Sequence, residues 1–439
     1  MIVAKFGGTS VADAAALRQV NTVVSTMADE PGGVIVVLSA TAGTTSKLLD
    51  IARRAGSGKP FEGELSDLLQ RHQNIAAELT GSADCVSDLL LACQEFAQAV
   101  AELGEWNDAT LDAFCAFGEL LSTTIYHAFR RSSGLASSFV DARRLIATDD
   151  RYQNANVDHA GTHARCSAEL SGICTTGNVI VTQGFIASSH DGMTTTLGRG
   201  GSDYSAAIIG ACVLARQIRI YTDVSGVFTC DPRLVPDALP LRSISFDEMR
   251  DMASYGAKVL HPDTLLPAVS ASIPVYVLNT FRPDDRGTCI SDQLVPHSEP
   301  RGVSVLDEVL KLTARREIGT LISQNELVTS SIVLTISSKD TMTLCVHTST
   351  AQARAAIDAI AHAHEVRTDL CSLVSVTGQH MSDANTVEDV SRSFAAGTDT
   401  AQICVVSDTC VIGIVERADA HACVRSLHGM IIRRQGRDE

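Results

Sequence analysis

Short apolar runs alternate with longer helical patterns along the first two-thirds of the chain. Ile2–Phe6 reads as a strand, and Gly7-Gly8-Thr9-Ser10 leads from it into a helix whose apolar positions Leu17, Val20, Val23 and Val24 share one face. Val34–Leu38 is an unbroken, mostly β-branched run, which marks a central parallel strand buried on both faces. A small-residue loop, Ser39–Ser46, follows it, and the stretch from Phe61 to Arg131 carries mainly helical spacing. Further strands are predicted at Ser138–Asp141, Asn178–Gln183, Gln217–Tyr221 and Pro274–Leu278. Strands separated by helices over this length imply an α/β domain on a mainly parallel sheet.

Around Arg286–Arg301 the rhythm breaks at Gly287, Pro296 and Pro300. The elements then shorten, with strands at Val309–Thr313, Ser331–Ile336 and Thr341–His347 and a helix from Thr350 to His362. A second set follows: strand Cys371–Thr377, helix Val387–Ala396, strands Gln402–Val406 and Thr409–Val415, and helix Ala418–Leu427. The repeat lies in topology rather than in residue identity, and predicts paired small α+β modules.

With 439 residues, 45% of them hydrophobic and 20% charged, the chain can bury a sizeable core, which excludes wholesale disorder. Asp plus Glu outnumber Lys plus Arg by 51 to 35, a net charge of −16. That balance argues against a nucleic-acid or anionic-membrane partner, since either needs a basic face. The 13 cysteines show no C-x-x-C or zinc-like spacing and read as reduced thiols. No basic-then-apolar leader is visible, and no apolar run approaches the ~20 residues of a membrane helix. A soluble, cytoplasmic protein is expected.

Three familiar patterns fail. Gly56-Ser57-Gly58-Lys59 has Arg53 where a P-loop opens with Gly, and Pro60 replaces the metal-binding hydroxyl. Gly198-Arg199-Gly200-Gly201 lacks the third glycine of a dinucleotide fingerprint. His159 and His163 have zinc-protease spacing, but Ala160 stands where the catalytic Glu belongs, and no metal site is expected.

Five segments remain. Lys5-Phe6-Gly7-Gly8-Thr9-Ser10 joins a strand to a helix. Its glycines let amides approach an anion, the helix N-terminus adds partial positive charge, and Lys5 brings an ammonium. A solvated Lys before an ordinary glycine turn is the competing reading. Thr194–Asp203 leads into a helix at Tyr204–Leu214 and offers a cradle for a charged ligand, although Asp203 alone reads as a helix cap. Tyr221–Arg233 puts polar groups at a strand's carboxyl end, where open α/β sheets bind nucleotides; its Asp, Ser, Gly and Pro also suit a plain turn. Tyr255–Pro262 supplies Lys258 near Gly256, and a surface Lys at a helix end fits it equally. Phe117–Ser122 sets Glu119 in an apolar helical stretch. A buried Glu needs a cationic partner such as a substrate ammonium, while a solvated Glu is the plainer reading of that segment alone.

Taken in order, KFGGTSV, TTTLGRGGSDY, YTDVSGVFTCDPR and YGAKVLHP resemble the aspartokinase family of the amino-acid kinase fold. The resemblance implies a carbamate kinase-like three-layer α/β/α sandwich over residues 1–295, serving the nucleotide from about residue 190 onward. Over 301–439 it implies tandem ACT-like regulatory modules of ferredoxin-like α+β type. The implied reaction moves the γ-phosphoryl group of MgATP to the side-chain carboxylate of L-aspartate. The product, 4-phospho-L-aspartate, opens lysine, threonine, methionine and diaminopimelate synthesis. A carboxylate nucleophile is already ionised, so the reaction needs alignment and charge neutralisation rather than a general base.

On this resemblance Lys5 and the amides of Gly7 and Gly8, with Thr9, hold the transferring phosphate, and Asp203 orients Lys5. Arg199 takes a substrate carboxylate, Glu119 the ammonium, and Thr45 and Ser202 add hydrogen bonds. Thr222 and Asp223 match base- or ribose-side positions. Phe228 stands where a Tyr is common, which keeps stacking and loses a hydroxyl contact. Arg233 and Lys258, with Val259 beside it, match the phosphate side.

The tail departs from the family. Aspartokinases usually follow the first tail strand with a loop and a full amphipathic helix that forms much of an effector pocket. Arg315–Ser330 is too short for both, and Ile318, Leu321, Ile322, Leu327 and Val328 predict about two turns. The expectation is a tail that chiefly pairs subunits into a homodimer or higher homo-oligomer, with weak or absent feedback by lysine or threonine. A normal pocket reached through a shorter helix is the alternative. No homoserine dehydrogenase domain follows residue 439, which reads as the monofunctional type. Two other functions stay open: a glutamate, N-acetylglutamate or nucleotide kinase of the same fold, and a catalytically silent ACT-type ligand sensor. Glu119 with Arg199 favours a free amino acid, and Lys5, Asp203 and the glycine loops argue against a silent sensor.

Overall fold

The computed structural model describes residues 1–257, 260–292, 300–329, 331–347, 351–364 and 366–435. The chain divides into two compact units. One comprises Met1–Val227, Arg242–Ile244 and Asp263–Asp292; the other comprises Phe228–Leu241, Ser245–Pro262 and Gln293–Glu439.

The chain opens with β1 (Ile2–Phe6), α1 (Ala14–Ser25), β2 (Val34–Leu38) and α2 (Thr44–Ala55). The helical stretch resolves into α3 (Glu62–Thr80), α4 (Ser87–Leu103) and α5 (Asp108–Ser132). Next come β3 (Ser138–Phe139), β4 (Ala147–Thr148), α6 (His159–Leu170), β5 (Val179–Gln183), β6 (Ile186–Ser189) and β7 (Thr194–Thr196). After α7 (Gly201–Cys212) and β8 (Gln217–Thr222) lie β9 (Ser243–Ile244), α8 (Phe246–Ser254), α9 (Leu266–Ser270), β10 (Val275–Asn279) and β11 (Thr288–Ile290).

β1 and β2 coincide with the strands read from the apolar runs, β5 and β8 differ by a residue at one end, and β10 is shifted by one residue. Ser138–Asp141 shrinks to two residues because Asp141 turns away to cap a 3-10 turn, accepting from Arg143 N at 2.9 Å. The short β4, β6, β7, β9 and β11 carry too few residues to show a period.

The main sheet runs β3-β5-β2-β1-β8-β10-β11-β9, parallel from β3 through β10. Ile2, Ala4 and Phe6 of β1 share a core with Leu17 and Val20 of α1 and with Leu121 and Ile125 of α5. Strand period two sends Val3 and Lys5 to the opposite face, where α7 packs on β1 and β8. The unit is thus a three-layer α/β/α sandwich, as expected. β1 is flanked by β2, which follows it in the chain, and by β8, to which the chain returns from elsewhere. Ligands of open α/β sheets bind at such switch points, outside the carboxyl ends of the strands.

The second unit holds a six-stranded antiparallel sheet, β13-β14-β12-β15-β17-β16. One βαββα set is β12 (Pro300–Arg315), α10 (Arg316–Ser323) extended by α11 (Glu326–Thr329), β13 (Ile332–Ser337), β14 (Thr341–Val346) and α12 (Ala351–Ala363). The other is β15 (Arg367–Gly378), α13 (Ala384–Ala395), β16 (Gln402–Ser407), β17 (Cys410–Glu416) and α14 (Ala420–Gln435). The paired α+β modules read from the topology are therefore present, joined through β12 and β15. β12 is far longer than the predicted Val309–Thr313. A register shift between Leu306 and Val309, with Glu308 at φ 60, interrupts the period and conceals the first half. The expected short helix is the eight-residue α10. Pro296, Ser330 and Thr350, invoked above as boundaries, lie outside the described residues.

Phe228–Leu241 and α8 belong to this unit. Thr229 Oγ1 lies 2.9 Å from His428 Nε2 on α14, and Asp251 on α8 accepts from Ser407 and Thr409 hydroxyls at 2.9 and 2.5 Å.

Candidate active site

In the first unit a cavity of about 370 Å³ opens at the carboxyl ends of β1 and β2. Lys5 and Gly8 line it from the first glycine loop, Ser39–Gly43 with Thr45 and Ser46 from the segment after β2, Glu119 from α5, and Gly198 with Gly200–Asp203 from the second glycine loop.

Lys5 points to the α7 face by strand alternation, and Asp203 sits in the first turn of α7. Lys5 Nζ lies 2.7 Å from Asp203 Oδ1, with both side chains almost wholly enclosed. Enclosure strengthens that attraction, and Lys5 also lines the cavity, with ammonium donors beyond the one on Asp203. Gly7 N–H donates to Tyr221 O at 3.1 Å, continuing the β1–β8 ladder. In this arrangement the Gly7 amide faces β8, and Gly7 leads the chain out of the strand. Gly8 approaches so closely that a Cβ would lie 3.1 Å from Ala40 O. Thr9 is exposed and lies outside the cavity lining.

Glu119 is 2% exposed. Its Oε1 accepts from Ala40 N at 3.2 Å, and Oε2 has no hydrogen-bond partner among the described residues. Burial pushes its pKa up to about 8, against the pull of the Ala40 amide. The neighbouring Gly118 permits this approach, because a Cβ there would press on Ala40 Cβ at 2.8 Å. A buried carboxylate oxygen with no partner on a cavity wall has the chemistry of an ammonium or donor site.

The loop after β2 is held from behind by α3. His72 Nδ1 faces Leu68 O at 2.8 Å and must donate to it, so neutral Nε2 accepts from Thr41 Oγ1 at 3.1 Å, which in turn accepts from Thr44 Oγ1 at 2.6 Å. Desolvation holds His72 down at about 4, so the ring is neutral near pH 7. Arg71 donates to Ala42 O at 3.0 Å and Ala12 O at 2.8 Å, tying this loop to the end of the first glycine loop. Ser39 Oγ donates to Ser202 Oγ at 2.9 Å.

A second buried carboxylate, Asp112, also lies on α5. It accepts from Thr196 N and Oγ1, both at 2.8 Å, and from the backbone and side chain of Gln153. Sequence reasoning missed Asp112, Arg71, His72 and Thr41. The spacing 112, 115, 116, 119 on one helical face was the available signal for Asp112.

Thr45 and Ser202 line the cavity. Arg199 lies between lining residues Gly198 and Gly200, but its side chain is exposed and has no hydrogen-bond or ion-pair partner among the described residues. Thr222 ends β8 and donates to Asp223 Oδ1 at 3.1 Å; Asp223 is exposed. Phe228 and Arg233 belong to the second unit. Phe228 is half-buried and bridges Pro240, while Arg233 pairs with Asp231 at 2.6 Å, which holds its pKa up. Lys258 and Val259 lie outside the described residues.

The model of the amino acid kinase family matches residues 1–279. The chain belongs to the amino acid kinase family. Within it, several curated relatives similar to this chain are aspartokinases. The chain is 36% identical over 295 residues to the lysine-sensitive aspartokinase 3 of Escherichia coli, covering 67% of this chain and 64% of that protein. The matched segment thus spans just under two-thirds of that relative's length. By structure, the chain resembles E. coli aspartokinase III in complex with aspartate and ADP (TM-score 0.83, 29% identity, 98% of this chain and 100% of that one). It also resembles the same enzyme in complex with lysine and aspartate (TM-score 0.81, 30% identity, 98% and 99%).

Proposed function

We propose that the protein is an aspartokinase, transferring the γ-phosphoryl group of MgATP to the side-chain carboxylate of L-aspartate. The observation that carries this reading is the unpaired, buried Glu119 Oε2 sharing one cavity with the Lys5–Asp203 pair. Glu119 takes the substrate ammonium, which supplies its missing counter-charge. Lys5, held by Asp203, neutralises the phosphoryl group as it passes between two anions. Arg199 swings from solvent onto a substrate carboxylate, and Thr45 and Ser202 orient the amino acid. The nucleotide is held by Gly8 and Thr9 amides on the phosphate side and by Thr222 and Asp223 at the end of β8, with Phe228, Arg233, Lys258 and Val259 contributing from the chain that follows. Mg2+ enters bound to the nucleotide phosphates.

Residues 1–295 are thus the catalytic region and 301–439 the regulatory and dimerising one, in a cytoplasmic homodimer or higher homo-oligomer. Among the described residues no helix is long and apolar enough to cross a membrane. The eight residues of α10 support weak or absent control by lysine or threonine. The deciding experiment traps acyl phosphate with hydroxylamine during incubation with MgATP and a panel of L-aspartate, L-glutamate and N-acetylglutamate. Hydroxamate from L-aspartate is expected; hydroxamate from another acid alone, or from none, overturns the reading.

A further inference from the structure

Asp112 has no part in the chemistry above, yet it is fully buried and saturated with donors. It lies seven residues before Glu119 on α5, so two helical turns bring both carboxylates to one face. Thr196 N and Oγ1 and Gln153 N and Nε2 together occupy both of its oxygens, which suits an ionised, acceptor-only carboxylate. Burial alone raises its pKa, and these donors oppose the rise.

The groups that Asp112 holds are the roots of the second glycine loop. Thr196 ends β7 two residues before Gly198, the first cavity-lining residue of that loop. Ala155 N donates to Thr196 O at 2.9 Å, which fastens the 153–155 segment to the same strand. Gly198 has φ 73, and a Cβ there would collide with Asn154 Oδ1. The segment fixed by Asp112 therefore abuts the loop that carries Arg199 and Ser202. One helix thus holds the ammonium-side carboxylate at one point and the root of the opposite wall at another.

We infer that Asp112 is a positioning residue that sets the span between Glu119 and the Gly198–Ser202 loop, and thereby selects the chain length of the amino-acid substrate. The inference rests on the aspartokinase reading and adds the determinant of its substrate span.

The test uses the full-length protein and its Asp112→Asn, Thr196→Val and Thr196→Ser variants, with KM measured for L-aspartate, L-glutamate and MgATP by hydroxylamine trapping. Asp112→Asn puts an amide N–H₂ against a donor. It is expected to raise the aspartate KM by about tenfold or more, leave the MgATP KM within about twofold, and narrow the preference for aspartate over glutamate. Thr196→Val removes one hydroxyl bond and should raise the aspartate KM by about threefold, while Thr196→Ser keeps the bond and stays near wild type. Where Asp112→Asn does not fold, the contrast between Thr196→Val and Thr196→Ser decides. An unchanged aspartate KM, or equal movement of both KM values, overturns the role of Asp112 alone. Absence of aspartyl hydroxamate from the wild-type protein overturns the underlying reading as well.

Discussion

Two carboxylates on one helix meet opposite fates. Asp112 is ringed by donors from two loops, whereas Glu119 has a single amide and one oxygen with no partner. Both are buried, so the desolvation cost is common to them, and the difference lies in what the protein supplies to offset it. A satisfied buried carboxylate is architecture. An unsatisfied one on a cavity wall is a place for something the chain itself does not provide. Asp203 stands between these cases, compensated by one ammonium that also faces the cavity.

The comparison can be broken hardest at Asp203, by removing the Lys5 ammonium paired with it. Under the proposed reading, Lys5→Ala is expected to cut acyl-phosphate formation from L-aspartate by about 10²–10³-fold or more with the fold intact, as read by trapping and circular dichroism. Near-normal turnover would remove Lys5 from the mechanism. Next, Glu119→Gln should lower kcat/KM for aspartate by roughly 30-fold or more while leaving the MgATP KM nearly unchanged, since one partner of a buried charge pair is lost. An equal loss for both substrates would return Glu119 to a structural role.

The pH dependence sharpens the same contrast. With the Glu119 carboxyl raised from its ordinary 4.5 to about 8, the free protein holds a proton that an ammonium ligand must displace. kcat/KM for aspartate should rise with pH up to about 8 and then level, and Glu119→Gln should flatten this limb. Stability runs the other way. The folded state keeps the proton that the unfolded chain releases above 4.5, so the stabilisation present at low pH fades as pH rises towards 8. Thermal midpoints of the ligand-free protein at pH 5.5 and 8.5 should show Glu119→Gln gaining over wild type at the higher pH.

Smaller effects are expected behind the cavity. His72→Leu strands the Thr41–Thr44 hydroxyl pair and should cost about 1–3 kcal/mol in denaturant melts, with a few-fold rise in the aspartate KM. Smallest of all, a lysine titration of activity should be nearly flat. A steep fall would show that α10, short as it is, still builds an effector pocket.

Much of this was legible from the chain alone. β2 announces itself because a strand buried on both faces leaves an unbroken apolar run, β1 is interrupted by Lys5 alone, and a glycine- or small-residue loop follows each. Glu119 could be singled out by its apolar neighbours, though not its missing partner. Asp112 was illegible for the opposite reason: an acid in the second turn of a helix looks like dipole complementation, and its partners lie 41 and 84 residues away. His72 likewise reads as one polar residue in an amphipathic helix. The assignment of Phe228–Leu241 and α8 to the second unit depends on tertiary bonds such as Asp251 to Thr409, which no local pattern encodes.

The long strand β12 has a consequence for how the chain is made. Among the described residues its last six, Leu310–Arg315, pair with β14, while its first half has β15 as its strand partner, with Pro300 opposite Gly378. At the ~5–20 residues per second of ribosomal synthesis, several seconds separate the emergence of the two strands. During that interval the first half of β12 lacks its strand partner, apart from the Val303 N–H bond to Thr229 O at 2.7 Å, and a nascent chain halted before Gly378 presents that edge to its neighbours on the same message.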